Sequence, residues 1–184
     1  TPGILETQLK TWSNNQNYVH TTLVGQLALY LTMYSPLQMV ADLPENYKKY
    51  NDAFQFIKDV PCDWSRSIYL EAEPADYITV ARQDKNSNDW YIGGKCDENG
   101  HKSVLKLDFL DKDYIYDCTI YADAKNADYK NNPKAYKITH KKVKKGDVLK
   151  LTMAPGGGFA ISLEARWNGE EHAEQLTKVS QTVF

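Results

Sequence analysis

Two hydrophobic periods divide this chain. Over positions 19–34 the apolar residues Leu23, Val24, Leu27, Leu29, Tyr30, Leu31, Met33 and Tyr34 cover nearly the whole circumference of a helix. A surface helix carries one greasy stripe, so this one demands neighbours on most sides. Thr21 or Thr22 can cap its start, and Ser35-Pro36 ends or kinks it, because proline lacks the N–H and clashes with the preceding turn. A short helical piece is expected over 37–43. A charged helix follows, with Pro44 in its first turn and its end near Asp59. Tyr47, Tyr50, Phe54 and Ile57 give that helix a single apolar face.

Past Val60-Pro61 the period falls to two. Candidate strands at 77–82 and 90–95 flank the turn Asn86-Ser87-Asn88-Asp89. Leu105, Leu107 and Phe109 alternate with Lys106 and Asp108. Tyr116, Cys118 and Ile120 alternate with Asp117 and Thr119, and Leu149, Leu151 and Met153 with Lys150 and Thr152. Phe159, Ile161 and Leu163 complete the set. Seven or eight strands are expected between 66 and 165, each with one greasy face, which fits two antiparallel sheets packed as a β-sandwich. Lys145-Gly146-Asp147 and the Pro155–Gly158 run read as turns, and 123–133 as a long polar connection. With the rest of the chain in strands, the apolar helix lacks partners. The expectation is that protein outside these 184 residues covers it, so that Thr1-Pro2-Gly3 continues a larger body.

Composition narrows the function little. A net charge of −2 gives no field for nucleic acid, and the lysines at 141–145 read as a solvated turn or guarded edge strand. Gln26, Gln38, Asp42 and the Ser35-Pro36 break interrupt the apolar stretch, so it does not read as membrane-spanning. Cys62, Cys96 and Cys118 are odd in number and lack CxxC spacing, which fits neither a disulfide framework nor a thiolate metal site; Cys118 reads as core.

Motifs for chemistry are absent: no HExxH, no GxSxG, no Walker sequence. Gly156-Gly157-Gly158 lies between strands with no following helix to present N–H groups to a phosphate. Asp108, Asp111 and Asp113 miss calcium-loop spacing. Glycosidic hydrolysis needs two carboxyls across the scissile bond. The acids near the apolar helix are Glu6 in a loop, and Asp42 and Glu45, which flank Pro44 as caps; none is assigned a catalytic or metal-binding role. His20, with Trp12 and Asn17, combines imidazole, indole and amide in one loop, a set suited to sugar recognition; a histidine bonded to backbone at a helix entry is the plainer alternative. Exposed aromatics such as Tyr69, Trp90 or Tyr121 would instead mark a non-catalytic carbohydrate-binding module.

The blocks TTLVGQLALYLTMYSPLQMVADLPENY (21–47), FQFIKDVPCDW (54–64), DYITVAR (76–82), DWYIGG (89–94) and MAPGGGFAISL (153–163) resemble the C-terminal part of glycoside hydrolase family 97. That resemblance implies a mixed fold: residues 1–63 as the last loop and helices of a (β/α)8 catalytic barrel and 64–166 as an all-β antiparallel sandwich; residues 167–184 extend past the resemblance as a terminal extension of unknown role. It also implies a calcium-dependent exo-acting α-glucosidase or α-galactosidase, periplasmic or secreted. Both the catalytic carboxyls and the calcium ligands would lie upstream of this chain, so the piece alone is expected to be inactive. Its partner would be the remainder of the same enzyme, whose substrate is an oligosaccharide. Trp12, Asn17 and His20 would then face the active-site rim.

Overall fold

The computed structural model of the chain describes residues 19–169. Three helices lead, α1 (Leu23–Thr32), α2 (Pro44–Lys48) and α3 (Asn51–Asp59). Eight strands follow: β1 (Trp64–Glu73), β2 (Tyr77–Asp84), β3 (Trp90–Cys96), β4 (His101–Lys106), β5 (Tyr114–Asp123), β6 (Tyr136–Val143), β7 (Val148–Met153) and β8 (Gly158–Trp167). Six form one sheet in the order β1-β2-β3-β8-β5-β6, and β4 and β7 form a two-stranded ribbon. Every pairing is antiparallel.

The large sheet is covered on both faces. Trp90, Ile92, Cys118, Ile120, Phe159, Ile161 and Leu163 pack toward the ribbon's Leu105, Leu149 and Met153. Their alternates Tyr91, Tyr121 and Ala160 pack toward Leu23, Leu27, Leu31, Phe56 and Val60 of the helical layer. The result is three layers: helices, six-stranded sheet, ribbon.

This arrangement corrects the reading of 1–63 as barrel. Among the described residues there is no closed barrel and no parallel strand pair, whereas a (β/α)8 barrel is built of parallel strands. Leu23, Val24, Leu27 and Leu31 are 0% exposed, and the chain's own β2, β3, β5 and β8 provide the cover. Small residues let α1 settle so deeply. A Cβ on Gly93 would stand 2.7 Å from Leu31 Cβ and 2.9 Å from the Ala28 carbonyl oxygen. Glycine inside a strand often marks such a close approach.

The expected helical piece at 37–43 does not form, and the expected single helix ending near Asp59 is two, divided at Lys49-Tyr50. Ala53 and Phe56 are the buried positions of α3, while Phe54 and Ile57 lie on its flank. Thr1-Pro2-Gly3, Glu6, Trp12 and Asn17, like positions 170–184, lie outside the described residues.

Candidate interaction surfaces

Two anchors hold α1 to the sheet. At its start Thr22 Oγ1 accepts the Gly25 N–H at 3.0 Å, and the Thr22 hydroxyl lies close enough to the Asp123 carboxylate to favour its charged form. Asp123 Oδ2 accepts the N–H groups of Ala154 and Gly158 at 2.9 and 2.8 Å, tying β5 to the β7–β8 turn. Beside it the half-buried Lys95 ammonium donates to Thr21 Oγ1 at 3.0 Å and to the Gly156 carbonyl at 3.4 Å. Burial raises the Asp123 pKa, against the nearby Thr22 hydroxyl, the bonds from Ala154 and Gly158 and the charge of Lys95. Its Oδ1 is buried with no donor among the described residues, which adds to the cost of the charged form. Burial likewise lowers the Lys95 pKa.

The glycine run thus has a packing reason as well as a turn: Gly156 sits at φ +66°, and a Cβ on Gly157 would collide with Asp123 Oδ2. At the far end of α1, Arg82 Nε donates to the Leu31 carbonyl at 2.7 Å and its guanidinium lies over the Tyr34 ring.

Among the described residues, Glu71 accepts from Ser103 and Thr79 and lies 3.5 Å from His101 Nε2, but Ser103 is buried and bonded to the carboxylate rather than to the imidazole, so no nucleophile–base pair forms there. The pocket at the β1–β2 turn is lined by Glu73, Asp76 and Asp97, but the first two are exposed and Asp97 accepts both the N–H and the side-chain amide of Asn99. A catalytic acid needs an environment that holds its proton, which exposed carboxyls lack. Burial pushes the Cys96 thiol up to about 11 and Cys118 to about 12, the opposite of a poised nucleophile. Also among the described residues, no group of three or more His, Cys, Asp or Glu is placed to hold a metal, and no helix is long and apolar enough to cross a membrane.

Of the three residues weighed for sugar recognition, only His20 is described; it is exposed, with its ring centroid 5.4 Å from that of Tyr129. The aromatic platform does not assemble. Tyr69 is 66% exposed, but Trp90 and Tyr121, at 2% and 4%, are core on opposite faces of the sheet.

What stands open is an apolar segment directly after α1. Met33 and Met39 are each 63% exposed and Leu37 72%, with Tyr34, Val40 and Leu43 exposed beside them. Scattered apolar residues on a surface need no explanation, but a contiguous patch marks an interaction site. Apolarity alone runs on from Leu23 into this segment and does not mark where packing stops, which is why the open part is not distinguishable in the sequence.

Comparison with known proteins assigns the fold to a family. Residues 63–164 match the family described as glycosyl-hydrolase 97 C-terminal, oligomerisation. A retaining alpha-galactosidase of Bacteroides thetaiotaomicron is 35% identical over 143 residues, which are 78% of this chain and 21% of that protein. The structure of a glycoside hydrolase family 97 enzyme from Pseudoalteromonas sp. strain K8, in complex with acarbose, superposes with a TM-score of 0.85 at 44% identity, over 90% of this chain and 26% of that one. A beta-arabinopyranosidase shares the fold, with a TM-score of 0.68 at 24% identity. The chain therefore spans about a fifth to a quarter of the length of these relatives. It belongs to glycoside hydrolase family 97, as that family's C-terminal domain.

Proposed function

We propose that this chain is a non-catalytic structural domain of a family 97 glycosidase, docked on the remainder of the same enzyme through residues 33–43. The observation that carries this is the uncovered apolar segment on a sandwich that is otherwise closed by its own helical layer. The segment lies just before 63–164, the part described as C-terminal in the family, and the relatives are several times longer than this chain, so the rest of the enzyme would supply a neighbour for it. Tethering raises the local concentration of such a neighbour to roughly the millimolar range, so a modest apolar patch suffices to hold it.

The parent would release terminal α-linked glucose or galactose from oligosaccharides, periplasmically or outside the cell. Names of relatives support both sugars: one is a retaining alpha-galactosidase, and another was solved with panose. Its catalytic carboxyls, and the calcium that the family resemblance implies, would be held by residues outside those described.

Hydrogen exchange tests the docking. In the full-length enzyme the amides of 33–43 are expected to exchange at least about tenfold more slowly than in the 184-residue chain alone. Equal exchange in the two would overturn the reading. The family description, oligomerisation, supports a second role in joining copies of the enzyme; sedimentation of the chain across a concentration series checks it, and a strictly monomeric profile excludes it.

A further inference from the structure

Charge is sorted along this chain. Residues 19–100 carry 7 Lys or Arg against 12 Asp or Glu, and residues 101–169 carry 13 against 8. Part of the excess lies on the outer face of the ribbon, where the register sets Lys102 beside Thr152, Val104 beside Lys150 and Lys106 beside Val148, all exposed. No carboxylate stands among them. Both strands of this ribbon are edges, where lysine also discourages pairing with another chain. A surface run of one sign is nonetheless unusual, since both signs are normally interspersed.

Next to the ribbon a cleft of about 490 Å³ opens between β7, the start of β6 and the β5–β6 connection. Lys125, Lys137 and Lys150 line it, together with Thr152 and apolar residues that include Ala124 and Ala127. None of the three ammonium groups has a carboxylate partner among the described residues. The one acid lining the cleft, Asp123, is buried and committed to the β7–β8 turn.

We propose that this cleft binds an acidic saccharide unit, one that bears a carboxylate or sulfate, and that Lys102 and Lys106 extend the track for a polymer of such units. Lysines are point-charge partners for oxyanions and tolerate several approach directions. Thr152 and the alanines suit the hydroxyl and C–H faces of a sugar ring. A cleft of this size falls within the range of roughly 300–1,000 Å³ typical of small-ligand sites. The choice of a saccharide over other anions rests on reading this chain as an accessory domain of a glycosidase.

Isothermal titration of the 184-residue chain tests it, with an oligogalacturonide and a neutral maltooligosaccharide of equal length. The acidic ligand is expected to bind at least about tenfold tighter, and its affinity to fall as salt is raised from about 50 to about 200 mM. The exposed pair Lys137→Glu and Lys150→Glu, with folding checked by circular dichroism, should lower that affinity at least about tenfold, and Lys48→Glu on α2 should leave it unchanged. No binding of the oligogalacturonide, equal loss with Lys48→Glu, or equal binding of inorganic sulfate or phosphatidylserine vesicles would overturn the proposal. Protection of 33–43 in the full-length enzyme is read in a separate experiment, so failure of one reading leaves the other measurable.

Discussion

Helix α1 and the segment after it are alike in sequence and opposite in fate. Both are rich in Leu, Met, Val and Tyr, yet Leu23, Leu27 and Leu31 have no exposure while Leu37, Met33 and Met39 are largely bare. What separates them is the surface across from each. Under α1 lie Gly93, Ala160 and Gly158, small enough for a helix to settle onto the strands. Among the described residues nothing comparable covers Met33, Leu37 and Met39. Apolarity in a segment states a demand for cover; whether the chain meets it is written in the residues on the other side.

Substitutions can break this contrast, beginning with the largest effect. Gly93→Val drives a branched side chain into Leu31 and the Ala28 backbone. It should cost about 3 kcal/mol or more by urea denaturation, at the upper end of overpacking penalties, because backbone cannot step aside. Leu27→Ala should cost about 2–5 kcal/mol for the lost burial and the cavity left behind. Removing the cap with Thr22→Ala should cost about 1–2 kcal/mol, since it leaves the buried Gly25 N–H without its acceptor.

A smaller effect lies in pH. The native pKa of Asp123 is raised above the unfolded value of 3.8, so the native state holds this proton more firmly. Stability from this group is fully present below 3.8 and declines as pH rises through the native pKa. Asp123→Asn keeps an acceptor for Ala154 and Gly158 and should flatten that part of the stability–pH curve; an unchanged slope would count against the assignment. Smallest of all, Leu37→Ser in the isolated chain should change stability by less than about 0.5 kcal/mol, because the side chain is largely exposed. A loss comparable to that of Leu27→Ala would show that 33–43 is covered after all.

The strands of this fold were legible where one face was greasy and the other wet, as at Leu149, Leu151 and Met153. Sequence patterning did not single out β1 and β6. The first is an edge strand with register shifts at Trp64/Arg66 and Tyr69/Glu71 that break its alternation, and the second is polar on much of both faces. β3 and β8 held a signal that the sequence reading passed over. WYIGGKC and GFAISL are nearly continuous apolar runs, the pattern of strands buried on both sides. That pattern announces a layer on each face of the sheet and so a home for α1 within the chain. Cover on one face alone would leave Tyr121, the alternate of Ile120, open as a sugar platform; the helical layer buries it. The candidate surfaces were less legible still. Lys125, Lys137 and Lys150 lie in separate parts of the sequence, and only the antiparallel crossings bring them around one cleft.

The α1–β8 contact has a consequence for biogenesis. A ribosome releases Leu23–Thr32 long before Gly158–Trp167, and until β8 inserts between β3 and β5 the sheet that shelters the helix is incomplete. During that interval the nascent helix shows solvent an almost wholly greasy cylinder, a natural client for a holdase. A stop codon before residue 158 would make that exposure permanent, and the truncated product should precipitate rather than accumulate as a smaller soluble domain.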